Sequence, residues 1–325
     1  MAASNFPGGF PNGVTIRNIP LRQTSPGRVF WVDNGTTGLL PGQVGGADGG
    51  AGVNYGTFNR PFASVAYAVS RCFANDGDII LVKPLHAETI TENTLFALNV
   101  AGVSIIGLGV GAQRPTFTFT TAATATIPVT ANNMSFQNCI FVANFLSVAA
   151  CFTIASATNF TVQNCTFSDT SGVLNFLNIF QTTGAANTAN SLYISGCTWN
   201  GLGTTSVNSF LLSANAIDSL SLISNNVCLA RTATAAILVT MTAGVLTNLD
   251  CGSNKVYSLQ TASTGGSLIS VAGTTSSGWV YDNKIQIGAA GGDLICTTTV
   301  GLSFFNNLNT DTVGASGFLI PTADV

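Results

Sequence analysis

Met134-Ser-Phe136-Gln-Asn-Cys139-Ile-Phe141 returns as Phe160-Thr-Val162-Gln-Asn-Cys165-Thr-Phe167 and again as Leu192-Tyr-Ile194-Ser-Gly-Cys197-Thr-Trp199. Weaker copies are Val103-Ser-Ile105-Ile-Gly-Leu108, Leu220-Ser-Leu222-Ile-Ser-Asn225 and Leu249-Asp-Cys251-Gly-Ser-Asn254. Val280-Tyr-Asp-Asn283 and Leu302-Ser-Phe304-Phe-Asn-Asn307 complete the series. With the last Cys, Asn or Leu as marker, the positions are 108, 139, 165, 197, 225, 254, 283 and 307, in steps of 24 to 32 residues. Inside each copy apolar and small polar residues alternate, which is the period of a strand with one buried face. A strand recurring at this spacing between Gly/Ser/Thr/Asn turns reads as one coil of a parallel β-helix. Coils stack about 4.8 Å apart, so eight markers make a rod of roughly 40 Å. The uneven steps assign length variation to loops. The markers are expected inside, as a column of thiols continued by an Asn ladder. Asn there also tolerates the left-handed conformation that a bend needs.

Working outward, composition narrows the function. Of the 325 residues, 7% are charged and 46% hydrophobic, with 35 glycines. A disordered chain needs the opposite balance, and a helical bundle needs Glu, Lys and Leu at helical spacing. Ten basic against thirteen acidic residues supply no phosphate-neutralising patch, so no nucleic acid is expected. Every apolar run is interrupted well short of about 18 residues, so no membrane span is expected. The start, MAASNFPGGFPNG, has no basic region and no apolar core, so it is not read as a secretory signal and synthesis in the cytoplasm is expected. The eight cysteines form no CxxC pair and have no His cluster beside them. They are expected to be reduced, buried and small, and neither metal nor cofactor is expected.

Pro61-Phe62-Ala-Ser-Val65-Ala-Tyr-Ala-Val69-Ser-Arg-Cys72-Phe73 has helical apolar spacing with Pro in the first turn, giving an amphipathic helix at about 61–73. The apolar strand Ile79-Ile80-Leu81-Val82 follows. A helix laid over the open end of a β-helix covers backbone that would otherwise pair with another chain. Phe30-Trp31-Val32-Asp33, Gly56-Thr57, Arg60-Pro61-Phe62-Ala63-Ser64-Val65, Gly77-Asp78 to Pro84 and Glu88 together resemble the N-terminal signature of right-handed parallel β-helix proteins of the pectin-lyase-like superfamily. The resemblance implies an all-β, right-handed parallel β-helix and leaves activity open, since such proteins include lyases, hydrolases and inert virion parts. Where that pattern has Gly and an aromatic, Leu85 and His86 stand. The segment Asn5 to Trp31 resembles β-helix proteins of tailed phages, which implies a virion structural role. The expected organisation is an arm at 1–28, a cap at 29–76, the β-helix at 77–310 and a tail at 311–325.

Candidate chemistry is sparse. Gly107-Leu-Gly109-Val-Gly-Ala112 matches a dinucleotide fingerprint, but Arg114-Pro115 and a strand follow where a helix is required, so a glycine turn is expected. Asn309-Thr310-Asp311 matches one polygalacturonase motif without its companions. Inverting hydrolysis needs two carboxylates about 6.5–9.5 Å apart. Among Asp169, Asp218, Asp250, Asp282, Asp293 and Asp311, the pair Asp250 and Asp282 stand at nearby places in successive copies and are the best candidates. His86, Glu88 and Glu92 have no second His for zinc and are read as packing or surface bonding. Lys255 and Lys284 share one register and are read as solvent-facing.

With so little charge, the outer surface is expected to need a partner. Leu174 to Phe180 and Ala235 to Met241 carry apolar residues at successive positions, which implies burial on both strand faces. Phe176, Ile179, Ile237, Val239 and Met241 are therefore expected in a homotrimer interface. Arg17, Arg22 and Arg28 lie in a segment without acids and are expected to contact a major capsid protein. The function expected is a non-enzymatic phage virion protein, a trimeric cement protein on the capsid exterior. The alternative is a tailspike-type protein that binds or cleaves surface polysaccharide.

Overall fold

The computed structural model describes residues 14–16, 19–21, 27–35, 45–49, 55–91, 96–203, 209–229, 237–258, 267–271, 275–287, 294–296, 301–311 and 317–320. The chain winds as a right-handed parallel β-helix with three sheets. The first sheet stacks ten strands from Val29–Val32 to Leu302–Phe305. The second runs from Ala87–Ile90 to Asn307–Asp311, and Gly317–Ile320 returns along its last strand antiparallel. The third has seven strands, from Ile127–Val129 to Leu294–Cys296. Every repeat copy is a strand of the first sheet, and the copies pair in register: Ile105 with Phe136, then Val162, Ile194, Leu222, Cys251, Val280 and Phe304.

The bend from the first sheet to the second sets the register. From Ser135–Gln137 onward it spans two residues in six successive coils. The residue with positive φ is the first of the two: Asn138, Asn164, Gly196, Ser224, Ser253 and Asp282, and the last coil turns on Asn306. The marker is the second, and it turns inward. The left-handed role expected of the marker Asn thus belongs to its predecessor, because the chain must reverse before the marker reaches the core. Asn225, Asn254, Asn283 and Asn307 form the expected ladder. Asn225 donates to Asn254 Oδ1 from its backbone N (2.9 Å) and from Nδ2 (3.1 Å), and Asn254 does the same to Asn283, at 3.0 and 2.9 Å. Asn283 repeats the pair onto Asn307. The second Nδ2 proton of each rung reaches back to a carbonyl of the preceding coil: Ile194, Leu222, Cys251 and Val280. Each internal amide therefore uses two acceptor and two donor sites, its full capacity.

One marker is misplaced. Leu108 lies on the outside with Ile79, Leu81 and Ile106 against Trp31. In its coil an insertion carries the chain through a 3-10 turn, Gly111–Gln113, before the second-sheet strand begins at Thr116. Pro115 carries the carbonyl on which Ile140 stacks. Gly107 accepts the Asn138 amide at 2.8 Å, and a Cβ there would sit 2.4 Å from Asn138 O, so this glycine serves close approach.

Inward residues of the second sheet form an aromatic stack. Phe117, Phe141 and Phe167 lie 5.4 and 5.3 Å apart, near parallel. Phe152 and Phe180 of the third sheet face each other at 5.5 Å and 8°. At the N-terminal end the helix is Val65–Ser70, shorter than expected. Pro61 and Phe62 are extended, because Phe62 bridges to Val32. Ser64 caps the helix by accepting from Tyr67 N, and Val65, Ala68 and Val69 close the core. In the segment expected to be an arm, Val14–Ile16 and Ile19–Leu21 pair as an antiparallel hairpin.

The ladder gives a test. Asn254→Ala leaves Asn225 N and Leu222 O without partners in the core. At about 1–3 kcal/mol for each stranded group, we expect a loss of about 3 kcal/mol or more. Urea unfolding followed by circular dichroism measures it, with exposed Lys255→Ala as the unaffected control.

Candidate functional site

Four places among the described residues gather ionisable groups that could form a site. At the cap, Arg28 pairs with buried Asp78 at 2.8 Å, and Asp78 also accepts the backbone N–H of Arg28 and of Phe73. Burial alone would raise the Asp78 carboxyl, but these bonds outweigh it and hold it below its ordinary value. The Arg28 guanidinium lies 4.0 Å over the Phe73 ring. Arg28 therefore belongs to the cap and not to a free arm. Arg17 and Arg22 lie outside the described residues.

Next to it, His86 is buried. Its Nδ1 accepts from Asn34 N (3.1 Å), which leaves the proton on Nε2, facing Glu88 Oε2 at 3.1 Å. The same carboxylate oxygen accepts the first helical N–H, from Val65, at 2.9 Å. Glu88 thus fastens the helix to the first coil, and the pair is structural. Lys83 sits 3.6 Å from Asp33 and 4.6 Å from the Phe58 ring centre. Glu92 lies outside the described residues.

In mid-rod, Asp169 is buried and receives backbone N–H groups from Phe176 (3.0 Å) and Leu202 (2.8 Å). The Trp199 indole N–H lies near it without meeting hydrogen-bond geometry. Burial pushes this carboxyl up to about 6 against those bonds. Asp169 organises the loops between the second and third sheets. Its burial carries no signature in the sequence.

The fourth place is the outer face of the first sheet. Asp250 stands beside Trp279 in the next coil, and Gly252 beside Tyr281. Asp282 lies past that strand, at the bend, where it accepts from Asn306 Nδ2. Asp250 and Asp282 are thus three residues along and one coil across, roughly 11 Å between Cα atoms from strand geometry. One stands on the sheet and the other at the bend. Missed in the sequence was an aromatic group around Asp250. Trp279 is 63% exposed, 6.5 Å from Phe305, and Tyr281 stacks on Phe305 at 5.2 Å and 6°. The outward alternation Trp279-x-Tyr281 was its signal. The Tyr281 ring lies over Gly252, where a Cβ would be 2.3 Å from it. Burial raises the Tyr281 hydroxyl, and so does the neighbouring Asp250 carboxylate. The Asp250 carboxylate bonds the Tyr281 hydroxyl, and its Oδ1 is buried without a hydrogen-bond partner.

Other expectations change here. Phe176, Ile179, Ile237, Val239 and Met241 are all buried in the single chain's core. Successive residues at the start of the third sheet bend inward together, so they do not offer the outer face to a partner. Lys255 and Lys284 are in register and exposed. Arg114 is tied to the bend instead, donating to Asn164 O at 3.1 Å and Thr166 Oγ1 at 2.7 Å. Asp293 lies outside the described residues. Burial raises the thiols of Cys139, Cys151, Cys197 and Cys251 well above their ordinary value, and that of Cys72 to about 12. Among the described residues no three His, Cys, Asp or Glu side chains are grouped to hold a metal.

No family model and no curated protein matches the chain. Two solved structures resemble it: a rhamnogalacturonan lyase and a pectin methylesterase mutant in complex with a hexasaccharide. The first is 11% identical with a TM-score of 0.39, covering 86% of this chain and 87% of that one. The second is 10% identical with a TM-score of 0.45, covering 91% and 92%.

Two outcomes follow from burial. The Asp169 carboxyl is raised in the native state, so the native chain holds a proton that the unfolded chain has lost. Stability therefore falls as pH rises from about 4 to about 6, by about 3 kcal/mol, and is level above. Asp169→Asn should abolish that slope in urea midpoints taken across the window. In maleimide labelling of the native protein, Cys139, Cys151, Cys197 and Cys251 should stay unmodified until urea is added, while half-buried Cys228 reacts first.

Proposed function

We propose that the chain is a non-enzymatic structural protein of a phage virion, a β-helix rod that decorates or reinforces the capsid exterior. One observation carries this. Asp78, Lys83, His86 and Asp169 are the buried ionisable side chains among the described residues, thiols apart. Each of them lies against a partner that holds the cap or a loop in place. A polysaccharide lyase or hydrolase keeps such groups free for a substrate. The resemblance of residues 5–31 to tailed-phage β-helix proteins supplies the virion part. Homotrimer formation and attachment to a major capsid protein belong to the same proposal. They now rest on the 7% charge of the surface-rich rod and on the arginines at 17 and 22.

The protein should not turn over pectate, alginate or capsular polysaccharides, with or without calcium. Turnover that disappears in Asp250→Asn would overturn the structural role. A chain beginning at Gly27 keeps Arg28 for Asp78 and should retain its circular dichroism and mass by light scattering. It should fail to co-sediment with particles lacking this protein, which the full chain binds. Equal binding by both chains would move attachment onto the rod.

A further inference from the structure

Between Arg114 and Asp218 the sequence holds one charged residue, Asp169, and it is buried. The middle coils therefore present no charge of their own on any face. Within this band the outer face of the second sheet and the loops that follow it carry an apolar patch. Ile140 and Val142 face outward and are half-buried, alternating with inward Phe141 and Ala143. Leu146, Val173 and Leu202 are 56, 50 and 46% exposed. They stand in the loops that leave three adjacent strands, Ile140–Ala143, Thr166–Asp169 and Thr198–Gly201, and so form a row along the rod, one per coil.

The row is fixed from within. Leu146 bridges to Leu174, and Ser147 N donates to Val173 O at 3.2 Å, which joins the first loop to the second. Asp169 accepts from Phe176 N with one carboxylate oxygen and from Leu202 N with the other, which joins the second loop to the third. Loops already held by such bonds lose little freedom when another surface is laid on them.

We propose that Leu146, Val173 and Leu202, with Ile140 and Val142, are the contact between parallel copies of this chain around an axis parallel to the rod. The inference rests on the homotrimer reading and gives it a surface in place of Phe176, Ile179 and the other residues that the core takes up. Three features favour a second copy as the occupant. The row repeats at the coil spacing of about 4.8 Å, and rotation about an axis parallel to the rod keeps every coil at its height, so each apolar side chain meets its own counterparts. A charge-free band offers no countercharge to a charged partner, and it sets no like charges together when it meets itself. The four coils from Thr116 to Gly201 span about 19 Å, and a four-residue strand with its loop is about 20 Å wide. The patch then covers roughly 400 Å² on each copy, and three copies together bury about 1,200 Å², the size at which specific interfaces begin.

Sedimentation velocity of the full-length chain tests this. The unsubstituted protein should sediment at three chain masses of 33.3 kDa. Leu146→Lys and Val173→Lys each place a charge in an apolar contact and should raise the dissociation constant at least about tenfold. Together they should give the single chain. Val110→Lys, at an exposed valine outside the patch, should leave the mass unchanged, and circular dichroism should be the same in all of them. Under mild oxidation, Val173→Cys should link chains in pairs and Val110→Cys should not. A single-chain mass for the unsubstituted protein would overturn both the homotrimer and this contact. Three chain masses that persist in the double variant, without linkage at position 173, would overturn the contact and leave the trimer standing. Two chain masses that fall to one in the double variant would support the contact and remove the trimer. An unchanged mass with lost binding to particles would make the row a site for a capsid protein and overturn it as a self-contact.

Discussion

Six successive coils turn from the first sheet into the second within two residues, and the second of the two is buried in the core. Much else in the rod follows from how this is met. One residue takes positive φ, the next points inward, and that inward side chain must satisfy the coils on either side. Asn does so completely, because one amide has two donors and two acceptor sites. Cys meets the same need less well. Cys165 and Cys197 direct their thiols at Phe136 O and Val162 O, at 3.9 and 3.7 Å, the register positions that Asn225 and its successors reach with Nδ2. Where the thiols stand, the Phe117–Phe141–Phe167 stack runs beside them and packing supplies the cohesion.

A second corner, between the third and first sheets, uses the same chemistry on the surface. Asn133, Asn159, Ser191, Ser219 and Asn248 all have positive φ. Their preceding residues carry side chains that reach along the rod. Asn132 Oδ1 accepts from Thr158 N, and Asn190 Oδ1 from Asp218 N. Hydrogen bonds from Thr247 and Asn248 hold the Asp218 carboxyl below its ordinary value. With corners made mostly by short uncharged polar residues, the body needs few ions, which accounts for a chain so poor in charge. The ions it does have gather at the cap, where Arg28, Asp78, His86 and Glu88 tie helix, first coil and entering chain together.

The stacking was legible because strand alternation and a two-residue bend both leave a fixed spacing, which the markers from Cys139 to Asn307 display. Leu108 misled because an insertion after Gly107 displaces the inward position without altering the strand before it. The apolar runs at Phe176–Ile179 and Ile237–Met241 misled for a related reason. Period-two alternation assumes a flat strand, and a coil that bends sends neighbouring side chains to the same side. Asp250 and Asp282 looked adjacent in linear copies, yet one lies on the sheet and the other at the corner. The Trp279 platform was present in the alternation of Gly278–Tyr281. It went unread because its acidic neighbour comes from another coil, 29 residues earlier in the chain.

The amide ladder has a direction. Asn225, Asn254 and Asn283 each donate the backbone N–H and one amide proton to the oxygen of the coil that follows, so each of these bends is complete only when the next coil has arrived. A chain is made from its N-terminus, and its early parts fold first. The thiol and phenylalanine coils emerge early; their bends too donate to the coil that follows, as Asn138 N does to Gln163 O and Cys197 N to Asn225 Oδ1, but their side chains cohere through packing. The amide coils emerge afterwards, each holding unmet donors until its successor is laid down. Growth of the rod thus resembles a zipper that closes tooth by tooth from a preformed aromatic core, and a ribosome stalled within the amide half leaves one open rung at the growing tip.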